Sequence, residues 1–309
     1  MGDWPVNIFS GGRLDRGGDQ RQDPEWIAEQ AADPSAFAFV ITDGRVLIDE
    51  GPDGSHLRRM TPGDADQLAS EPPIYIGRSD GGPVFAFEAD LISDPSVLLG
   101  EAGMAGLPDM RTAAGLLPEQ EAAWAGAAKS IFDWRRRHKF CAACGHPTVS
   151  SAGGWKRICE SCRTEHFPRV DPVVIMLPIH RGPEGERCLL GRQASWPPGR
   201  MSALAGFLEP GESIEESCAR EVAEEAGLTV TAVRYHSSQP WPFPSQLMIG
   251  LFADVSDDQA RPDQTELEAV AWLTRDEARA ALDGVHPTVK APPSIAIARR
   301  LIEAWVEAG

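Results

Sequence analysis

Between Gly206 and Leu228 the chain reads GFLEPGESIEESCAREVAEEAGL, with seven glutamates in 23 residues. Like charges one helical turn apart repel by a few tenths of a kcal/mol per pair, so a cation missing from the sequence is expected there. Ser213-x-x-Glu216 is a capping box and Gly227 a C-terminal glycine, which predicts a helix between them. On it Cys218, Ala219, Val222 and Ala226 face a core, while Glu221, Glu224 and Glu225 cluster at i, i+3 and i+4. Clustered carboxylates are hard oxygen ligands suited to two or three Mg²⁺ or Mn²⁺ ions, which keep waters and substrate phosphates as further ligands. Glu212 arrives from the preceding loop, Arg220 can hold a glutamate in place, and Gly206 and Gly211 let the loop turn tightly. The alternative, a solvated acidic face, does not explain why the acids share one arc beside an arginine.

Cys141-x2-Cys144 and Cys159-x2-Cys162 form a second constellation. Two such loops complete a tetrahedron of thiolates, the geometry of one structural zinc ion with no position left for water. The alternative is free cysteines. His138, His146 and His166 lie nearby, as surface histidines or as a fifth ligand. The segment RRRHK (135–139), with Lys156 and Arg157, is either a patch for nucleic acid or a solvated helix end whose cations favour the helix dipole.

A third stretch, SSQPWPFPSQLMIG (237–250), sets three prolines around Trp241 and Phe243. Prolines cannot form a regular strand centre, so a stiff loop presenting two aromatic faces is expected. It either stacks a nucleobase or nicotinamide ring, or closes over core.

The elements that must position these groups follow from pattern. The chain has 309 residues, 42% hydrophobic and 24% charged, as a soluble globular protein of two or three domains would. Its net charge of −17 argues against broad binding to nucleic acid or an anionic membrane. No run is long enough to span a bilayer. The N-terminus lacks a basic region and an apolar core, and Val6 stands where a myristoylation motif needs Ser or Thr; a cytoplasmic location is expected. Residues 1–125 carry short apolar runs, among them the period-two VFAFEAD, and read as a mostly-β, antiparallel domain. Residues 126–168 hold the end of a helix expected over 117–139 and the cysteine segment. Residues 169–309 read as an α/β domain, for an overall α+β class.

Gly206-x5-Glu212-x7-Arg220-Glu221-Val222-x-Glu224-Glu225-x-Gly227-Leu228 resembles the Nudix box with every fixed position filled. The segment 237–246 resembles the SQPWPFPxS signature of NADH pyrophosphatases, which also place a four-cysteine zinc ribbon before the Nudix domain and a smaller domain before that. The resemblance implies an α/β/α sandwich with a mixed sheet, and hydrolysis of NADH or NAD⁺ to nicotinamide mononucleotide and AMP. By the same resemblance Glu221, Glu225, Glu266 and the carbonyl of Ala205 hold the catalytic ions, with Glu224 assisting. Gln239, Pro240, Trp241, Pro242, Phe243, Pro244, Ser245 and Gln246 would line the substrate, joined by Ala298, Arg111 and a stacking Phe207. Phe167 stands where a tyrosine is usual, and the order FPSQL departs from the signature at Ser245. A homodimer is implied. Removal of an NAD cap from RNA, and a non-catalytic nucleotide- or RNA-binding module, are the other readings.

Overall fold

A computed structural model describes residues 6–69, 71–89, 106–183 and 185–309; residues 1–5 of the N-terminal segment discussed above lie outside them. The chain forms two compact units. One comprises Ile8–Val170 and Pro240–Ser245; the other comprises Asp171–Gln239 and Gln246–Gly309 with the start of the chain through Asn7.

In the first unit, helix α1 (Pro24–Ala32) starts where the Asp23 side chain accepts from the Glu25 N–H, with Pro24 at a position that needs no donor. Strands β1 (Phe37–Thr42) and β2 (Arg45–Val46) precede a hairpin of β3 (Ile48–Gly51) and β4 (Gly54–Leu57). Helix α2 (Pro62–Asp66), β5 (Ile74–Ser79) and β6 (Gly82–Glu88) follow. The main sheet has the order β2-β1-β6-β5. It is not the antiparallel sheet expected: β1 and β6 run parallel, from Phe37 opposite Val84 to Ile41 opposite Glu88. The reason is burial. Every residue of β1 is buried, and β6 is buried up to Glu88, as a central parallel pair covered on both faces requires. Residues of α1 and α2 pack on the face of Ala38, Val40, Phe85 and Phe87. Phe37, of opposite orientation, meets Trp124 of a long helix.

Helix α3 (Met110–Leu116) leads into that helix, α4 (Glu119–Arg137), within the span the sequence predicts. Near the end of α4 the buried Arg135 donates to Pro72 O (2.7 Å), Pro73 O (3.3 Å) and Ser150 Oγ (3.1 Å). Ser150 lies on β7 (Thr148–Ser151), which with β8 (Lys156–Cys159) and β9 (Glu165–His166) makes a three-stranded antiparallel ribbon. Burial pulls the Arg135 guanidinium down to about 10, so its three acceptors have to offset lost hydration.

The second unit is a sheet in the order β13-β14-β10-β11-β15, from β10 (Asp171–Gly182), β11 (Gly185–Arg192), β13 (Val230–Trp241), β14 (Gln246–Val255) and β15 (Ala269–Thr274). A short β12 (Leu204–Phe207) pairs with β10. Because β10 and β14 are parallel while β10–β11, β10–β12 and β11–β15 are antiparallel, the sheet is mixed. One face carries Val174, Met176 and Leu189 against helix α5 (Ile214–Ala226). The opposite face carries Ile175, Leu177 and Leu190 against α6 (Arg275–Leu282) and α7 (Ile297–Glu307). This is the expected layered sandwich. One detail differs: β13 continues through Pro240 and Trp241, which the prolines were expected to forbid. β13 is the edge strand, the position in a sheet where proline is tolerated.

No helix among the described residues is long and apolar enough to cross a membrane.

At Gly154, φ is +92° and a Cβ would strike the Arg135 guanidinium. Gly154→Ala is expected to lower stability by about 2 kcal/mol or more, through strain and a displaced buried cation, visible as a lower melting temperature. An unchanged melting temperature would show that Arg135 has room to move.

Candidate active site and metal centres

Helix α5 begins with the complete capping box: Ser213 Oγ accepts from the Glu216 N–H and Glu216 returns a bond to Ser213 N–H (2.7 Å). It ends at Gly227, left-handed at φ 68°. Cys218, Val222 and Ala226 face the core. That orientation turns Glu221 and Glu225 toward β12, and both are buried, at 8% and 4% exposure.

Arg220 organises the acids. Its Nε and Nη2 take Glu212 in a fork (2.6 and 2.9 Å), Nη1 reaches Glu221 (2.8 Å) and Glu224 (3.1 Å), and Nη2 also donates to Phe207 O (2.8 Å). The arginine's hydrogen bonds hold Glu212 down at about 2. Glu224 remains mostly exposed. Glu225 lies beyond this reach. Burial first, then the charges of Glu221, Glu266 and Asp263, push its carboxyl up to about 8, against a backbone hydrogen bond from Ala205. Its Oε2 is buried without a partner. Burial also raises Glu221, opposed by Arg220.

Exposed Glu266 sits on a turn built by Asp263, whose carboxylate accepts from the N–H groups of Glu266 (3.0 Å) and Leu267 (2.9 Å). The turn is tied to α5 by Asp263 N–H to Glu225 O (3.3 Å) and Arg261 N–H to Ala226 O (2.8 Å). Opposite, a Cβ on Gly206 would run into the Glu221 carboxylate. The glycine is therefore required by close approach.

These residues fit a hard divalent cation: a buried oxygen lacks a donor, a glycine leaves room, and the donors are carboxylates with a nearby backbone carbonyl. Among the described residues only the four cysteines bring three or more ligating atoms within 4.8 Å of one another. Mg²⁺ needs only one or two protein carboxylates, so fuller convergence of the glutamates is not a requirement.

For zinc the fit is tighter. Cys141 Sγ lies 3.6 Å from Cys162 Sγ, and Cys144 Sγ lies 3.5 Å from Cys159 Sγ. A tetrahedral site with bonds of about 2.3 Å separates its sulfurs by about 3.8 Å. Both knuckles turn through a left-handed residue, Gly145 (φ 77°) and Arg163 (φ 63°), whose N–H groups return to Cys141 O and Cys159 O. His166 Nε2 approaches Cys141 Sγ at 3.3 Å, so it supports a sulfur. His138 Nδ1 instead bonds Trp134 O, and His146 is exposed. The basic segment is mostly engaged internally. Besides Arg135, Arg136 pairs with Glu88 and Asp133, Lys156 with Glu165, and Arg157 with Thr148 O and Glu71; Arg137 and Lys139 are exposed.

The aromatic loop has an unexpected setting. Trp241 and Phe243 meet edge to face at 5.0 Å, and buried Phe9 packs edge-on against both. Arg111 lies over Phe243 (3.9 Å) and Trp241 (5.1 Å). Gln239 is 1% exposed: it donates to Ile295 O (2.8 Å) and accepts from Ile297 N–H (2.8 Å), capping α7 in place of Ala296. Ala298 is buried in the core beside it, and Ser245 is buried. Phe207 and Phe167 are exposed, each on its own unit. Asn7, which no local pattern marks, donates to Ser237 Oγ (3.0 Å) and Ser238 O (2.9 Å). Asp263, Asn7 and Phe9 escape sequence reasoning because their partners are distant or their role is backbone support.

Fold and site together define a Nudix architecture. Residues 171–292 match the NUDIX domain, 136–167 the NADH pyrophosphatase zinc ribbon domain, and 35–134 the NADH pyrophosphatase-like rudimentary NUDIX domain. The NAD-capped RNA hydrolase NudC of Mycobacterium bovis is 38% identical over 284 residues, covering 88% of this chain and 86% of that protein. The chain belongs to the Nudix family, in its NADH pyrophosphatase branch with a zinc ribbon. The NAD-capped RNA hydrolase NUDT12 of Macaca fascicularis is 46% identical over 199 residues, 62% of this chain. The chain spans only 43% of that relative's length. A crystal structure of a NUDIX hydrolase from Nitrosomonas europaea aligns at TM-score 0.40 and 22% identity, over 55% of this chain and 90% of that one.

Gly206→Ala is expected to displace Glu221 and weaken Mn²⁺ binding at least about tenfold by calorimetry, with the fold retained. Equal affinity would remove Gly206 from the site. A second test uses pH. The folded Glu225 carboxyl titrates near 8, above its ordinary value of 4.5, so its contribution to stability is present below the ordinary range and lost as pH rises through about 8. Ion-free protein should therefore melt at falling temperature from pH 5 to pH 8, and Glu225→Gln should flatten that slope. An identical slope in the variant would contradict the assignment.

Proposed function

We propose that the chain hydrolyses the pyrophosphate bond of NADH or NAD⁺, adding water across the P–O–P bridge to yield AMP and the nicotinamide mononucleotide in its reduced or oxidised form, respectively. The observation that carries this reading is the pair of buried carboxylates, Glu221 and Glu225, one with an orphaned oxygen, on a helix whose arginine does not neutralise both. Glu221, Glu225 and Glu266, with Ala205 O, would hold two or three Mg²⁺ or Mn²⁺ ions. When bound, the ions supply Lewis acidity toward the phosphoryl oxygens and cancel charge that an acidic protein would otherwise set against its substrate. The chain's own residues do the rest. Arg220 fixes Glu212, Glu221 and Glu224 relative to the β12 backbone, and the Asp263 turn presents Glu266. Residues 239–246, Arg111, Phe207, Phe167 and Ala298 would be the candidate substrate-binding set, each taken within its own unit. Gln239 and Ala298 act in it through backbone placement, since their side chains are committed to the core. The zinc is structural, one ion per chain. The working form is a cytoplasmic homodimer divided into an N-terminal domain (1–125), a linker helix and ribbon (126–168) and a Nudix domain (169–309).

A second substrate of the same chemistry is the NAD cap of RNA, favoured because both relatives are named NAD-capped RNA hydrolases. With Arg135, Arg136, Lys156 and Arg157 engaged internally, the segment beside the ribbon offers few cations to RNA phosphates. Cap removal should therefore depend weakly on salt.

The test is AMP release from NADH, NAD⁺ and NAD-capped RNA with Mg²⁺ or Mn²⁺. Turnover should stop with EDTA, and Glu225→Gln should cut kcat at least about 100-fold, beyond what loss of a supporting partner costs. Release of AMP that survives EDTA, or full activity in Glu225→Gln, would overturn the metal-dependent reading. Tight nucleotide binding without AMP release would favour a non-catalytic module.

A further inference from the structure

The loop Pro240–Ser245 poses a packing problem of its own. Its three prolines have no N–H, so the loop can make few internal hydrogen bonds; Phe243 N–H to Trp241 O (2.8 Å) is one. The carbonyl of Pro242 is satisfied from 113 residues away, by Lys129 Nζ of helix α4 at 2.9 Å. The same ammonium lies 5.3 Å from the Phe243 ring centroid and 2.7 Å from Asp133 Oδ2, one helical turn on. Asp133 in turn pairs with Arg136, which pairs with Glu88 of β6. The lysine stem is confined as well: Gly44, left-handed at φ 71°, lies so close that a Cβ there would touch Lys129 Cε at 3.4 Å. Beside the loop is a cavity of about 460 Å³ lined by Arg111, Lys129, Asp133, Arg137, Phe243 and Pro244. The aromatic loop is thus held on one side by a lysine and borders open space on another.

We propose that Lys129, oriented by Asp133, is a positioning residue that holds the Trp241–Phe243 loop in the shape that receives a substrate ring. The inference rests on residues 239–246 being the substrate loop. Lys129 touches no reacting atom. It supplies the hydrogen bond that the proline-rich loop cannot make for itself, and Asp133 keeps the ammonium aimed at Pro242 O and the Phe243 face. A loop ordered before substrate arrives loses less conformational freedom on binding. Removing the anchor should therefore raise KM and leave kcat nearly unchanged.

The experiment compares full-length wild type, Lys129→Met, Lys129→Arg and Asp133→Asn by hydrogen exchange and NADH kinetics. For Lys129→Met, exchange at the loop amides of Phe243 and Ser245 should quicken about tenfold while the strands of both units, β13 and β14 included, keep their protection. KM for NADH should rise about tenfold with kcat within about a factor of two, since a hydrogen bond to a charged group is lost from the loop alone. Lys129→Arg should restore part of both effects, and Asp133→Asn should act in the direction of Lys129→Met. Unchanged loop exchange in both Lys129→Met and Asp133→Asn overturns the proposal, as does a fall in kcat at constant KM. Faster exchange throughout the unit would show a merely structural role and overturn it too. Wild type that turns over no NADH, while loop exchange responds as expected, overturns the substrate reading and retains the anchor.

Discussion

Holding two glutamates out of water, with one guanidinium that reaches only the first, is the constraint around which the second unit is organised. Isolated, such an arrangement is unfavourable: a buried carboxylate loses hydration, and its neighbours of like charge add to the cost. Glu225 bears this most, with an unpartnered oxygen and a carboxyl pushed up to about 8. The surrounding elements maintain the strain. The capping box and Gly227 fix where α5 starts and stops, Val222 and Ala226 fix which way it faces, and Gly206 lets β12 approach the Glu221 carboxylate. Arg220 ties the loop, the helix and the β12 backbone into one piece. Natural folds keep such groups where they serve chemistry, and a cation is the ligand that would turn the cost into binding.

The first unit does a different job. Its sheet and α4 hold a buried arginine, an engaged set of surface cations and a lysine that meets the aromatic loop. Charges that look in sequence like a nucleic-acid patch are mostly cross-links: Arg135 to the carbonyls of Pro72 and Pro73, Arg157 to Thr148, Lys156 to Glu165. With most of these cations held by local acceptors, few are presented to an outside polyanion there.

What could be read from the sequence was local. The α5 helix, its caps and its acidic arc follow from spacing within one segment, as do the zinc knuckles; the alternation of strands and helices after residue 169 follows from apolar periodicity. What could not be read depends on contacts between distant residues. The parallel pairing of β1 with β6 is invisible to a pattern that alternates like an antiparallel strand, because burial on both faces is decided by which helices cover it. The persistence of β13 through Pro240 depends on its being an edge. Nothing near Gln239 in the sequence shows that its side chain caps α7, a role set by a partner 58 residues away. Phe9 and Lys129 sit in segments with no motif at all, and only the fold brings them to Trp241 and Phe243.

The central claim, that Glu221 and Glu225 are buried in order to bind divalent ions, is tested most directly by anomalous diffraction from crystals soaked in Mn²⁺. The account predicts anomalous peaks within coordination distance of both carboxylates and of Ala205 O. Crystals in which both side chains swing into solvent with no peak beside them would contradict it.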